Sequence, residues 1–290
     1  VMRYEVIENE LVEIKEKYAD ERRTRIIKMA TEFNPEDMYA DDDMVITISH
    51  LGYIKRTPLA DFRQQGRGGI GAKAGAARDE DFIEYVHQAN MHSTMMFFTE
   101  QGRLYWTKVY ELPEGNRQSK GRALQNMINI QKGDKVCAFI HVKNLSDMEY
   151  VQNHYLIFAT KNGLMKKTTL ESYSRPRANG IIALGLREDD RLIRVTLTDG
   201  NSQMLVASYN GKVVRFPEDT VRPMGRTATG VRAIKLDEDG KDRVIGMICV
   251  EQGSKDSVLV ISEKGFGKRT LLDDENGEPI YRITNRGGKG

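Results

Sequence analysis

The residues best placed to do chemistry in this sequence are arginines and lysines that recur in register. An arginine stands four residues before a glycine at Arg67/Gly71, Arg117/Gly121, Arg226/Gly230 and Arg286/Gly290, and the remaining copy has Arg175 and Arg177 ahead of Gly180. A second basic position falls four residues after an earlier glycine, at Arg56, Lys167, Arg215 and Arg269. Trp106 takes that place in one copy, with Arg103 and Lys108 nearby. Lys55, Lys73, Lys120, Arg122, Lys166, Arg222, Lys268 and Lys289 lie beside these points. Arginine offers a fork of donors that matches a phosphate, and glycine lets backbone N–H groups come close to one. Set in register on a curved array, such loops would hold a duplex by its phosphates without reading its bases. They would also bend it against its own stiffness. The competing use for the same arginines is structural, bracing neighbouring units through strand-end carbonyls. Because the whole set keeps its register, the phosphate reading is preferred.

Other chemistries find less support. Residues 64–73 hold Gly66, Gly68, Gly69 and Gly71, four glycines in six positions, which makes a loop with several left-handed backbone positions. That loop lacks the Lys-Ser/Thr of a phosphate-binding P-loop and no helical pattern follows it. The five histidines (His50, His87, His92, His141, His154) show no metal-ligand spacing, and there is no Cys-x-x-Cys. Cys137 and Cys249 each sit in an apolar stretch and read as buried, reduced thiols of a cytoplasmic protein. Asp237-Glu238-Asp239-Gly240 reads as a turn rather than a calcium loop. Phe97-Phe98 and Tyr105-Trp106 read as strand aromatics that pack between structural units. No serine, cysteine or tyrosine has a recognisable base and orienting group, so neither a catalytic nor a metal site is expected. No apolar run reaches the length of a membrane span, and no signal-peptide pattern opens the chain.

The elements that must position the basic residues follow from periodicity. Ile7, Leu11, Ile14 and Tyr18 form one apolar seam, which predicts a helix that ends before Asp20-Glu21-Arg22-Arg23-Thr24. Asn34-Pro35 and the run Asp41-Asp42-Asp43 then read as a connector, giving a boundary between residues 1–43 and 44–290. Charge changes there too. Residues 1–43 hold 7 basic and 13 acidic side chains, and residues 44–290 hold 37 and 29. From Met44 onward, an apolar strand followed by Ser/Thr-x-x-Gly occurs five times, ending at Gly52, Gly102, Gly163, Gly211 and Gly265. Spacings of 50, 61, 48 and 54 residues are those of propeller blades, each a small antiparallel sheet.

Within the first of these repeats, Gln65-Gly66-Arg67-Gly68-Gly69-Ile70-Gly71 resembles the seven-residue box of the DNA gyrase A family, usually Gln-Arg/Lys-Arg-Gly-Gly-Arg/Lys-Gly. Residues 49–56, 212–218, 221–232 and 265–270 also resemble motifs of that family's C-terminal domain, and residues 20–24 resemble the end of the preceding coiled-coil arm. The resemblance implies an all-β β-pinwheel, a propeller-like disc of four-stranded blades that exchange strands, with a short N-terminal helix. It implies a non-catalytic domain of a type IIA topoisomerase that wraps double-stranded DNA on its basic rim, so that the holoenzyme introduces negative supercoils. No cofactor is expected in this chain; ATP and magnesium would serve the holoenzyme. The partners would be the N-terminal breakage-reunion part of the same polypeptide and the gyrase B protein in an A2B2 assembly, with no membrane. Gln65, Arg67, Gly68, Gly69 and Gly71 match the box, whereas Gly66 and Ile70 are uncharged where the family is usually basic. The family disc usually has six blades, and the fifth repeat here breaks off at Arg286-Gly287-Gly288-Lys289-Gly290, which predicts a chain cut short. Two other readings fit parts of the pattern: the C-terminal domain of topoisomerase IV, and a protein-interaction propeller.

Overall fold

In a computed structural model the described residues are 2–21, 23, 24, 34–62, 66–68, 81–238 and 240–290. They form two compact units, Val1–Met38 and Tyr39–Gly290. The first contains helix α1 (Met2–Tyr18), which carries the expected seam and buries none of its residues. The division falls five residues before the boundary expected at 43/44, because residues 39–43 are tied into the second unit. The Tyr39 ring stacks on Tyr110 at 4.9 Å, Met91 N donates to Asp42 O at 3.0 Å, and Asp43 opens the first strand. Part of the acidic run is therefore ladder rather than linker, and no metal-holding cluster of three ligands occurs among the described residues.

The second unit is built from repeats. The first supplies β1 (Asp43–Ser49), β2 (Tyr53–Pro58) and β3 (Ile83–Asn90). The second supplies β4 (Thr94–Thr99), β5 (Arg103–Lys108), a two-residue β6 (Arg122–Ala123) and β7 (Val136–Val142). After a short helix α2 (Met148–Asn153) come β8 (Tyr155–Thr160), β9 (Leu164–Thr169), β10 (Ile181–Ile182) and β11 (Leu192–Thr198). The fourth repeat has β12 (Ser202–Ser208), β13 (Val213–Pro217), β14 (Val231–Arg232) and β15 (Val244–Glu251), and the fifth has β16 (Ser257–Ile261) and β17 (Gly267–Leu271).

The Ser/Thr-x-x-Gly motif closes each hairpin. Gly52 N donates to Ser49 O, and Tyr53 N donates to the Ser49 hydroxyl at 3.1 Å, so one residue caps both ends of the turn. Thr99, Thr160 and Ser262 do the same for Arg103, Leu164 and Phe266. An aspartate from the end of the repeat completes the tip. Asp81, Asp134, Asp190 and Asp242 accept from the N–H of Leu51, Gln101, Asn162 and Asn210.

Strand exchange joins the repeats. The sheet orders are β3-β1-β2-β6, β10-β5-β4-β7 and β11-β8-β9-β14, so β6, β10 and β14 each pair with the blade before their own. The expectation of four-stranded blades holds for these three sheets. The fourth sheet, β13-β12-β15, has three strands and β16-β17 has two among the described residues. The main chain near Gly290 approaches Val213, where an exchange strand would lie, without forming a ladder.

Both faces of the inner sheets are buried, because alternate side chains of one strand point to opposite sides. Met95 and Phe97 join a core with Ile46 and Ile54 of the first blade, whereas Met96 and Phe98 join one with Leu156 and Phe158 of the third. Ile157 and Ala159 face Met204 and Val206 in the same way. The aromatic pair expected to pack between blades does so: Phe98 meets Phe158 edge-on at 5.6 Å. This explains continuous apolar strands such as residues 94–99, in which every residue is buried.

Two glycines show what exchange demands. Gly121 and Gly230 precede β6 and β14 with φ of +79° and +94°. A Cβ on either would lie 2.4 Å from a carbonyl of the preceding blade, Ile54 O or Met165 O. Gly230→Ala is therefore expected to destabilise the domain by at least the ~1–3 kcal/mol of a strained backbone position, read as a lower denaturation midpoint. Burial, with the Glu100 and Asp134 carboxylates adding, pushes the Cys137 thiol up to about 12, and burial also raises Cys249. Both thiols are only half-buried, less than their apolar stretches suggested. A thiol reagent at pH 8 should modify them more slowly in the native domain than in the unfolded chain, and equal rates would contradict the raised thiol pKa.

Candidate nucleic-acid interface

The positions four residues after each hairpin glycine lie on the second strand of their blade, beneath the connector of the next repeat. There the structure uses the basic residues internally. Arg56 donates through Nη1 to Val109 O, Tyr110 O and Leu112 O, and through Nη2 to Glu114 at 2.9 Å. Lys167 pairs at 2.8 Å with Glu218, a carboxylate with no exposed surface, and its ammonium sits 4.2 Å from the Tyr155 ring centroid. Glu218 also accepts from Thr198 Oγ1 and Ser202 N. Arg215 donates to Gln203, to the carbonyls of Leu272 and Tyr281, and through both terminal nitrogens to Asp273. The hydrogen bond from Arg215 holds the Asp273 carboxyl below its usual range.

One residue earlier, Lys55 and Lys166 are also buried. Lys55 Nζ donates to Asn116 O at 2.9 Å and Arg117 O at 3.0 Å. Lys166 Nζ donates to Ala183 O at 2.7 Å and to Arg226 O, with Gly225 O at 3.5 Å. Burial, with the Arg226 guanidinium adding, lowers Lys166 to about 7. Lys55, Arg56, Lys166, Lys167 and Arg215 are thus not rim contacts for a phosphate, as their register suggested. All five are buried, and each donates to carbonyls or carboxylates, although Arg56 Nε has no partner among the described residues. Lys268 and Arg269 hold the equivalent places on β17 and are exposed, since among the described residues no strand pairs with the outer edge of that hairpin.

The loops that cross these braces remain at the surface. In each complete sheet the exchange strand is the edge strand, opposite the edge formed by β3, β7 or β11. Along the exchange edge Lys120, Arg122, Arg175, Arg177, Arg222 and Lys289 are exposed, and Arg117, Arg226 and Arg286 are half-buried. Arg286 directs its donors to Thr220 O and Arg232 O. Gly66, Arg67 and Gly68 are exposed, with Gly68 at φ +82°; Gln65, Gly69, Ile70, Gly71 and Lys73 lie outside the described residues. Two exposed arginines of this edge escaped the sequence reading, Arg232 and Arg282. A signal existed for the second: Arg282 precedes Arg286 by four residues, as Arg222 precedes Arg226.

Comparison with known proteins fits this architecture. The family model described as DNA gyrase C-terminal domain, beta-propeller, matches residues 43–90, 93–143, 154–199, 203–251 and 256–290, one segment per repeat. The chain belongs to the DNA gyrase C-terminal domain family. A DNA gyrase A protein from Staphylococcus epidermidis is 42% identical over 287 residues, covering 99% of this chain and 31% of the relative. That of Salmonella typhimurium is 43% identical over 291 residues, covering 98% and 32%. The chain thus spans about a third of the length of the curated relatives it matches. A solved C-terminal domain of DNA topoisomerase IV superposes with a TM-score of 0.68 at 26% identity, covering 87% of this chain and 72% of that one. A DNA gyrase A C-terminal domain superposes with 0.65 at 22% identity, covering 86% and 76%, a likeness of fold.

Within this gyrase-family domain the braces make a distinct demand. Glu218→Gln would leave the Lys167 ammonium buried without its counter-charge. It should lower unfolding free energy by about 3–5 kcal/mol in denaturant titrations. A loss under ~1 kcal/mol, the value of an exposed pair, would show the pair to be solvated.

Proposed function

We propose that this domain is the DNA-wrapping, non-catalytic C-terminal part of a gyrase A protein. Double-stranded DNA would follow the exchange edge from blade to blade, held by phosphate contacts. What carries the reading is the division of the in-register basic residues. One set is consumed as internal braces, while on loops in equivalent places Arg175, Arg177 and Arg222 stay exposed and Arg117 and Arg226 half-exposed. Bracing alone does not call for the second set. In the cell the domain would act in the cytoplasm, joined to the breakage-reunion part of its own polypeptide and to the gyrase B protein. ATP and magnesium would be used by those parts, so that wrapping is converted into negative supercoiling.

A second reading, the topoisomerase IV domain, is favoured by Gly66 and Ile70, which leave the box short of positive charge. The two separate in a reconstituted holoenzyme, by supercoiling against decatenation without it. For the domain itself the decisive test is topological. Relaxed plasmid bound by the protein and treated with a nicking-closing enzyme should show a linking-number shift of positive sense, and tight binding without a shift would mean bending only. Affinity should be insensitive to sequence and fall steeply with salt, log K against log salt having a slope near −0.9 per phosphate contacted. Arg67→Ala should reduce wrapping more than Arg117→Ala, and equal effects would remove the box from its leading place.

A further inference from the structure

We propose that Lys55 and Lys166 are positioning residues for DNA wrapping, each clamping from inside the blade the main chain that carries a rim arginine. The proposal rests on the wrapping function proposed above and names residues that never touch the duplex.

Three observations carry it. The acceptors are specific: Lys55 takes the carbonyls of Asn116 and Arg117, and Lys166 takes those of Gly225 and Arg226 along with Ala183. Arg117 and Arg226 are the arginines that stand four residues before the exchange glycines. The fold itself does not require lysine there. The equivalent residues of the second and fourth blades are Tyr105 and Val214, both buried. Among the described residues, lysine is absent where the loop above carries no arginine at the register position, or carries one whose donors are already taken. Over Tyr105 the register position is Pro176, and over Val214 it is Arg286, whose own donors are taken by Thr220 and Arg232. A buried lysine thus recurs where the arginine above it is half-buried and its side chain makes no hydrogen bond among the described residues.

Burying an ammonium is unfavourable unless its donors are satisfied; two carbonyls take those of Lys55 and three surround Lys166. What the arrangement yields is a fixed origin for a flexible side chain. With its Cα held, the arginine loses less freedom on meeting a phosphate, so more of that contact appears as affinity.

The test is a double-mutant cycle on the full-length protein, with salt-dependent binding to a linear duplex as readout and thermal unfolding alongside. Lys166→Met and Arg226→Ala should each weaken binding at low salt by about tenfold. Each should lower the salt slope by about 0.9. The combined variant should bind no more weakly than either single one, although Lys166→Met lowers the unfolding temperature in both backgrounds. An undiminished loss from Lys166→Met when Arg226 is already alanine would overturn the proposal, since the lysine would then act through general stability. Unchanged binding by Lys166→Met with Arg226→Ala defective would overturn it equally. Should Lys166→Met fail to fold, Lys55→Met with Arg117→Ala decides by the same criteria. If the wild-type chain fails to bind duplex at low salt, the wrapping reading falls first and this proposal with it.

Discussion

The structure depends on one constraint: the second, third and fourth repeats each lay a loop and a two-residue strand along the second strand of the blade before them. That exchange closes the edge of a sheet which would otherwise expose unpaired N–H and C=O groups. It also forces two backbones into contact, which only a glycine in the left-handed region allows at Gly121 and Gly230. The connector crossing above the second strand brings its own carbonyls and carboxylates over that strand. Basic side chains beneath it then become braces, as Arg56 does for residues 109–114 and Arg215 for residues 272–281.

Arginine and lysine therefore do opposite things a few residues apart. Under the connector they are desolvated, and their contribution comes from saturated hydrogen bonding: Arg215 has a partner for every guanidinium nitrogen. On the connector Lys120, Arg122, Arg175, Arg177 and Arg222 are exposed, where a charge contributes little to stability. The second blade has Trp106 in place of a brace, and the core it shares with the third blade is correspondingly apolar, built around Phe98, Phe158 and Tyr173. The other three seams add an ionic brace, from Arg56, Lys167 or Arg215, to an apolar core.

Much of this was legible in the chain. Five Ser/Thr-x-x-Gly turns at a blade-like period and the apolar strands before them specify hairpins by local chemistry, since one hydroxyl caps both sides of its own turn. The box residues and the arginine–glycine register were legible for the same reason. The aspartates that complete the hairpin tips were missed, because Asp81, Asp134, Asp190 and Asp242 lie some thirty residues from the turns they cap, at unequal spacings. The tie of residues 39–43 to the second unit was not legible either, since the stacking of Tyr39 on Tyr110 leaves no local trace.

By itself the sequence determined the repeat, the turns, the strand faces and the presence of a basic residue at most of the equivalent places. Those are properties of near neighbours along the chain, and they recur wherever the local pattern recurs. Only the tertiary structure decided which charges face water. Lys167 and Arg269 are both basic residues in register, yet one is buried against Glu218 and the other lies at the surface. The difference is set by which segment of the following repeat passes overhead. That segment arrives through strand exchange from tens of residues away, so its carbonyls and carboxylates enter the environment of a side chain only when the blades are assembled.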